Sequence, residues 1–135
     1  ACSLALALEK AVEQLPRRTE QVRTLNTLLR AGLAPYPKVH INSPDTAVPH
    51  ILNLSVEGVK GTLFQRELDA RGVCVSVRSA CSSQGLPSPA VLAVSGDRRN
   101  ALSSWRISLS HLTTEAEITG FLDAFDHCYN ALTRD

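Results

Sequence analysis

Apolar residues recur three or four positions apart over the first quarter of the chain, which is the spacing of one face of a helix. Two runs share this spacing: Leu4, Leu8, Val12 and Leu15, then Val22, Leu25, Leu28, Leu29 and Leu33. The pattern predicts a helix over residues 1–34. Pro16 should kink this helix or split it in two, because proline lacks the backbone N–H that the helix needs. Gly32 is a candidate for its end.

Four segments alternate apolar and polar residues as half-buried strands do, at 39–41, 50–56, 73–77 and 105–109. The segment VCVSV at 73–77 predicts a strong strand that leads directly into a polar loop. The charged stretch 95–103 lacks any clear period, and we interpret it as a solvated loop.

Three further segments carry helix signals. Residues 62–71 have apolar positions in phase and are followed by Gly72, and residues 89–94 form a short apolar run. Thr114 and Glu117 make a capping box before the last helix. The apolar stripe of that helix is Ile118, Phe121, Leu122, Phe125 and Tyr129. The element order predicts an α+β two-layer sandwich, with a small mixed or antiparallel sheet and helices on one face.

Composition narrows the class of protein. The chain has 135 residues, 44% of them apolar, which suits a single domain with one core. A formal net charge of +1 gives no reason to expect binding to nucleic acid or to an anionic membrane. No apolar stretch approaches the ~20 residues that span a bilayer, and no signal peptide is recognisable. Because the chain contains no Met, we interpret it as a fragment, a processed product or an engineered piece.

The four cysteines indicate a reducing environment rather than disulfides. A domain of this size folds without covalent links, and Cys74 and Cys128 lie in apolar runs where we expect them to be buried. The expected location is therefore the cytoplasm. The Cys and His residues show no CxxC or HxxxH spacing, so no metal site is predicted.

Cys81 is the cysteine with the most reactive surroundings. It lies in a loop of small polar residues, including Ser79 and Ser82, that leaves a strand, and loops of this kind often carry functional groups. Arg78 is three residues away, and a nearby cation favours the thiolate. No His is placed by the sequence to act as its base, which argues against a papain-like protease. The alternative is an exposed loop cysteine without a role.

Arg106 is the second candidate. It occupies a polar position of an alternating strand, so its guanidinium faces either solvent or a pocket, where it would suit a carboxylate. Asn53 and His50, in the strand 50–56, are weaker candidates because strand asparagines often bind local backbone groups.

The order of several motifs resembles that of one family, the NifS/IscS-type cysteine desulfurases, which are pyridoxal-phosphate enzymes of aminotransferase class V. The motifs are NLS at 53–55 with VKG at 59–61, SACSS at 79–83, PSPAVL at 87–92, RISL at 106–109 and TTEAEI at 113–118. The resemblance covers nearly the whole chain and corresponds to the C-terminal, small domain of these enzymes.

The resemblance implies a specific reaction. The thiolate of Cys81 would take sulfur from L-cysteine as a persulfide and release L-alanine, while Arg106 would hold the substrate carboxylate. A sulfur acceptor or scaffold protein would then receive the sulfur, for iron–sulfur cluster assembly or another pathway. Arg78 replaces a glycine of the family, and with Ser79 and Ser82 it would support the loop or the thiolate. The parent protein would be a homodimer.

The family's cofactor-binding domain has no counterpart in this chain. Its lysines are Lys10, Lys38 and Lys60, and none lies in a segment that resembles the Schiff-base lysine of the family. We therefore expect residues 1–135 to be one C-terminal domain, with the helix 1–34 as the remnant of the interdomain linker helix. We also expect the isolated chain to bind no pyridoxal phosphate and to turn over no cysteine.

Two alternatives remain open at the level of sequence. One is a related class V enzyme, either a selenocysteine lyase or a transaminase, although an ordinary transaminase needs no thiol. The other is a stand-alone α+β module that carries persulfide or binds a partner protein.

Overall fold

The computed structural model describes residues 2–77 and 86–134. In chain order, the elements are α1 (Cys2–Leu33), β1 (Val39–Ile41), β2 (Ile51–Val56), α2 (Gly61–Asp69), α3 (Pro89–Ser95), α4 (Arg98–Ser103), β3 (Ser104–Ser108) and α5 (Glu115–Leu132).

The three strands form one antiparallel sheet in the order β1-β2-β3. Ile41 lies opposite Leu54 at one pairing, and Asn53 lies opposite Arg106 at the other. The architecture confirms the predicted α+β class with a small sheet.

The sheet has one apolar face and one polar face, because successive side chains of a strand point to opposite sides. The apolar face carries Leu52, Leu54, Val56, Trp105 and Ile107, all of them buried. Helices α1, α2 and α5 cover this face and complete a single hydrophobic core. The ring of Phe64 stacks on Trp105 with centroids 5.1 Å apart, and Phe125 packs beside both. Burying such side chains contributes about 1.5–3 kcal/mol each.

Helix α1 is continuous, so the predicted split at Pro16 is wrong. Proline removes the hydrogen bond to the carbonyl of Val12, but this stretch is exposed and water can bind the carbonyl instead. Gly32 does not end the helix either. A Cβ at this position would overlap the side chain of Leu122, so the glycine allows α5 to pack closely against α1.

Two segments differ from their prediction. Residues 73–77 form no regular strand and are joined to β3 by a single bridge, between Ser76 and Arg106. The charged stretch predicted as a loop contains α4, which begins because the Asp97 carboxylate accepts hydrogen bonds from the backbone N–H groups of Arg99 and Asn100.

The remaining helix signals are confirmed. Gly72 follows α2 with a φ of +77°, a conformation that favours glycine. The capping box of Thr114 and Glu117 opens α5. Among the helices of the described ranges, none is both long enough and apolar enough to cross a bilayer.

Candidate functional site

Four of the predicted site residues, Arg78, Ser79, Cys81 and Ser82, lie outside the described residues. The fifth, Arg106, lies at the middle of β3 on the polar face of the sheet. The site that the structure describes is therefore the surroundings of Arg106.

Arg106 belongs to a row of four polar residues that crosses the sheet, which we call the polar row: Asn42, Asn53, Arg106 and Ser76. Arg106 lies opposite Asn53 in the β2–β3 register. On its other side, Arg106 lies opposite Ser76. The backbone N–H of Asn42 donates to the carbonyl of Asn53 at 2.9 Å, which extends the row past the end of β1. Partners in a sheet lie about 5 Å apart with side chains on one face.

The guanidinium of Arg106 is half-buried. Among the residues that the structure describes, its buried Nε atom has no hydrogen-bond partner and the guanidinium forms no ion pair. A buried donor without a partner costs about 1–3 kcal/mol or more when it is charged. An anion bound at Arg106 would remove this cost, and a carboxylate matches the planar geometry of the guanidinium.

The other end of the row is a closed hydrogen-bond network. The side-chain Nδ2 of Asn42 donates to Asn53 Oδ1 and to Ser55 Oγ, both at 2.8 Å. Asn100 of α4 donates from its Nδ2 to Asn42 Oδ1 at 2.8 Å, and Ser55 Oγ donates to the Asn100 carbonyl at 3.1 Å. Two segments that are distant in sequence, β2 and α4, thus fix the position of Asn42.

Sequence reasoning identified Arg106 and ranked Asn53 as weak, and it missed Asn42, Ser76 and Asn100. A usable signal existed for Asn53, because both it and Arg106 occupy polar positions of alternating strands. Asn100 had none, since the helix that carries it was itself missed.

None of the three lysines belongs to the polar row. Lys38 Nζ donates to the Thr133 carbonyl oxygen at 3.1 Å, Lys60 precedes α2, and Lys10 is exposed on α1. No group of three or more His, Cys, Asp or Glu side chains is arranged to hold a metal ion in the described part of the chain.

The described thiols differ in exposure. Cys128 is 1% exposed, as predicted, and burial raises the pKa of its thiol, although the Arg71 guanidinium opposes this effect. Cys74 is exposed and unpaired, so the prediction that it is buried is wrong. The alternation at 73–77 turns its valines toward the core and Cys74 away from it.

A polar groove of about 830 Å³ opens on the same face of the sheet, beside β1, α3 and α4. Its lining includes His40, Glu57, Asp97 and Arg99 but not Arg106. The mixture of charges selects no class of ligand, and the groove is separate from the unpaired guanidinium.

Sequence and structure comparisons with known proteins all point to the same family. A sequence model described as Aminotransferase class-V matches residues 1–121. The chain is 33% identical to a cysteine desulfurase IscS of Clostridium botulinum over 89% of its length, and 33% identical to the cysteine desulfurase NifS of Azotobacter vinelandii over 85%. A solved NifS-like protein superimposes with a TM-score of 0.80 at 31% identity, covering 95% of this chain.

The chain spans only about a third of these proteins, 32% of the Clostridium protein and 32% of the solved NifS-like chain. The match therefore concerns one part of a larger architecture.

Proposed function

The chain belongs to the aminotransferase class-V family, and we propose that it is the C-terminal domain of a cysteine desulfurase. In this proposal residues 1–135 form one domain, and helix 1–34 links it to a cofactor-binding domain. The observation that carries the proposal is the unpaired guanidinium of Arg106, whose Nε is buried without a partner in the described residues. The names of the relatives favour a desulfurase over a lyase or a transaminase.

The proposed reaction transfers the sulfur atom of L-cysteine to the thiol of Cys81. Arg106 binds the carboxylate of L-cysteine and holds the substrate in place. The Cys81 thiolate forms a bond to the substrate sulfur, the bond between that sulfur and Cβ breaks, and the carbon takes the electron pair and a proton. The products are L-alanine and a persulfide on Cys81, so atoms and electrons balance. An acceptor or scaffold protein, for iron–sulfur assembly or another pathway, then takes the sulfur.

Arg78 favours the thiolate in this proposal through its positive charge, and Ser79 and Ser82 support the loop. Cys128 is unsuited to the role because its thiol is buried. Cys74 is exposed, and its sulfur lies 3.9 Å from the Asp69 carboxylate, an anion, which disfavours the thiolate.

The residues of this chain do not fit a resident pyridoxal phosphate, since no lysine lies in the polar row and Lys38 is engaged with Thr133. In the family, the cofactor serves as an electron sink for bonds at the substrate carbons. The proposal places it on another part of a homodimeric parent, and expects the isolated chain to release no alanine from L-cysteine.

The test compares Cys81→Ser with Cys74→Ser in the parent protein. We expect Cys81→Ser to abolish persulfide formation and to lower alanine release at least a hundredfold, because a hydroxyl cannot accept the sulfur. Cys74→Ser is the matched control, and its persulfide formation and alanine release should stay within about twofold of those of the unsubstituted parent protein. Alanine release and tryptic mass spectrometry of the persulfide give the readouts. Persulfide formation that survives Cys81→Ser would overturn the proposal.

A further inference from the structure

We propose that Asn53 is a second group that binds the carboxylate held by Arg106, and that Asn42 is the positioning residue that turns the Asn53 amide toward it. This inference rests on the proposed function and adds a binding residue to the same site. Its basis is the order of the polar row, in which Asn53 lies between Asn42 and Arg106.

The hydroxyl of Ser55 has a single proton. That proton is donated to the Asn100 carbonyl, with the oxygens 3.1 Å apart. At 2.8 Å from Asn42, Ser55 Oγ must therefore accept a hydrogen bond, which requires the Nδ2 group of Asn42 on that side.

The side-chain amide of Asn42 has all of its hydrogen-bonding groups engaged as a result. Its Oδ1 accepts from Asn100 Nδ2, one Nδ2 proton goes to Ser55, and the other goes to Asn53 Oδ1 at 2.8 Å. The amide of Asn53 is consequently oriented with its oxygen toward Asn42 and its Nδ2 group away from Asn42.

Asn53 and Arg106 both have donors that are not used. Asn53 Nδ2 donates to none of the described residues, and neither does the Arg106 guanidinium on the adjacent strand. Two side chains on one face, about 5 Å apart between strands, thus present N–H groups that no described residue accepts from. A carboxylate accepts several hydrogen bonds, so one anion can bind the guanidinium and the amide together.

The test uses the full 135-residue chain labelled with ¹⁵N and follows the Arg106 Nε–H resonance by NMR. L-Alanine, which carries the same carboxylate as the substrate, is titrated at constant ionic strength, and L-alaninamide is the ligand control. We expect a saturable shift with alanine and none with alaninamide. Asn53→Ala should weaken alanine binding about tenfold, the usual effect of losing one hydrogen bond to a charged group.

The variant Asn42→Asp tests whether Asn42 acts by orienting the Asn53 amide or only by supporting the fold. An aspartate there cannot donate to Asn53 Oδ1, and it accepts from the Asn53 Nδ2 group instead, which takes that donor away from the ligand. We expect this variant to weaken binding as much as Asn53→Ala does, with no further loss in the double variant. Asn130→Ala, on the exposed side of α5, is the matched control and should bind like the unsubstituted chain.

The outcomes separate the two proposals. In Arg106→Gln, which lacks the Arg106 Nε–H group, alanine binding is followed through the side-chain amide resonances of Asn53. If alanine binding is unchanged in this variant, the role of Arg106 in the proposed function fails. If Arg106→Gln abolishes binding while Asn53→Ala and Asn42→Asp both bind within twofold of the unsubstituted chain, only the inference about Asn53 is overturned. A stronger response to inorganic phosphate than to alanine would also overturn the assignment of a carboxylate site.

Discussion

Cys128 illustrates how the fold controls the chemistry of a single residue. Its side chain lies on the core face of α5, and desolvation raises the pKa of the thiol. Only the thiolate is an effective nucleophile. The fold thereby makes Cys128 less reactive as a nucleophile than the exposed thiols of the chain.

We expect iodoacetamide at pH 7.5 to modify Cys2 and Cys74 in the native chain and to leave Cys128 unmodified, because the first two are exposed. Peptide mass spectrometry after a timed quench measures the extent at each site. In concentrated guanidinium chloride all three should react. Equal rates at Cys128 and Cys74 under native conditions would contradict the burial of Cys128.

At this scale, the sequence allowed prediction of those residues whose role follows from alternation along one strand. Arg106 was identifiable in this way. Asn42 and Asn100 were not, because their importance depends on which segments meet in space. The prediction for Cys74 is wrong because its neighbouring valines pack against the core, and a residue between them in an extended segment faces the opposite side.

Helix α5 depends on its first turn. The Thr114 hydroxyl accepts from the backbone N–H of Glu117 at 3.2 Å, and the Glu117 carboxylate accepts from the backbone N–H of Thr114 at 2.8 Å. These bonds satisfy donors that a helix start otherwise leaves without partners.

Thr114→Ala should lower the free energy of unfolding by about 1 kcal/mol, the usual cost of losing such a cap. Urea denaturation followed by the fluorescence of Trp105 measures it. Thr119→Ala is the matched control within the same helix, where the threonine is exposed and its hydroxyl donates to the Glu115 carbonyl. That control should change stability by less than about 0.5 kcal/mol. Equal losses in both variants would contradict a specific role for the cap.

Helix α1 combines a packed half with an exposed half. From Cys2 to Arg17, every residue except Ala11 is exposed, and the first fully buried position is Val22. The stability of the first half therefore depends on helix propensity, whereas the second half is held by the core.

Pro16→Ala should increase helicity without stabilising the core. Proline costs about 3 kcal/mol relative to alanine inside a helix, but the cost falls on the exposed half. We expect a stronger circular dichroism signal at 222 nm and an unchanged urea midpoint of Trp105 fluorescence. The adjacent Arg17→Ala is the control, since arginine is already a good helix former, and it should change neither. A shifted midpoint in Pro16→Ala alone would show that the two halves are coupled.

The wrong predictions for α4 and for the segment 73–77 have different causes. A six-residue helix such as α4 is too short for apolar periodicity to identify it. Its one usable signal was the N-cap Asp97 after Gly96, which has a φ of +67°. The segment 73–77 does place its valines against the core, but pairing with β3 at one position is not enough to make a strand.

Over the whole molecule, Tyr36 connects the turn after α1 to the last helix. Its hydroxyl donates to the Asp126 carboxylate at 3.0 Å, and its ring packs edge-on against Phe125 and Tyr129. Burial is the main cause that raises the pKa of Tyr36 above its ordinary value of 10.0, and the hydrogen bond to Asp126 adds to it.

The folded state therefore favours the neutral phenol, while the unfolded chain ionises near pH 10. The contribution of Tyr36 to stability should be complete below pH 10 and decline as the pH rises through the folded-state pKa. Tyr36→Phe should make the free energy of unfolding less dependent on pH above 10. Urea titrations at pH 8 to 11 measure the difference between the two proteins, which cancels the groups they share. Parallel pH profiles would contradict the assignment.

The α+β class was predictable because alternating strands and amphipathic helices follow one another along the chain. The polar row was not predictable, because its four residues lie far apart in sequence, between positions 42 and 106, and are brought together only by the pairing of strands. A shift of one residue between β2 and β3 would turn Arg106 into the core and Ile107 out of it.

The long first helix also has a mechanical consequence. The sixteen residues from Cys2 to Arg17, all exposed except Ala11, form a rod of about 24 Å, at 1.5 Å per residue. A bend of only about 20° at Pro16 would move the tip by roughly 7 Å, since about fourteen residues precede it. Small changes of angle at one exposed proline are thereby magnified into large displacements of the first residues of the helix. A fluorophore attached to Cys2 would report these displacements.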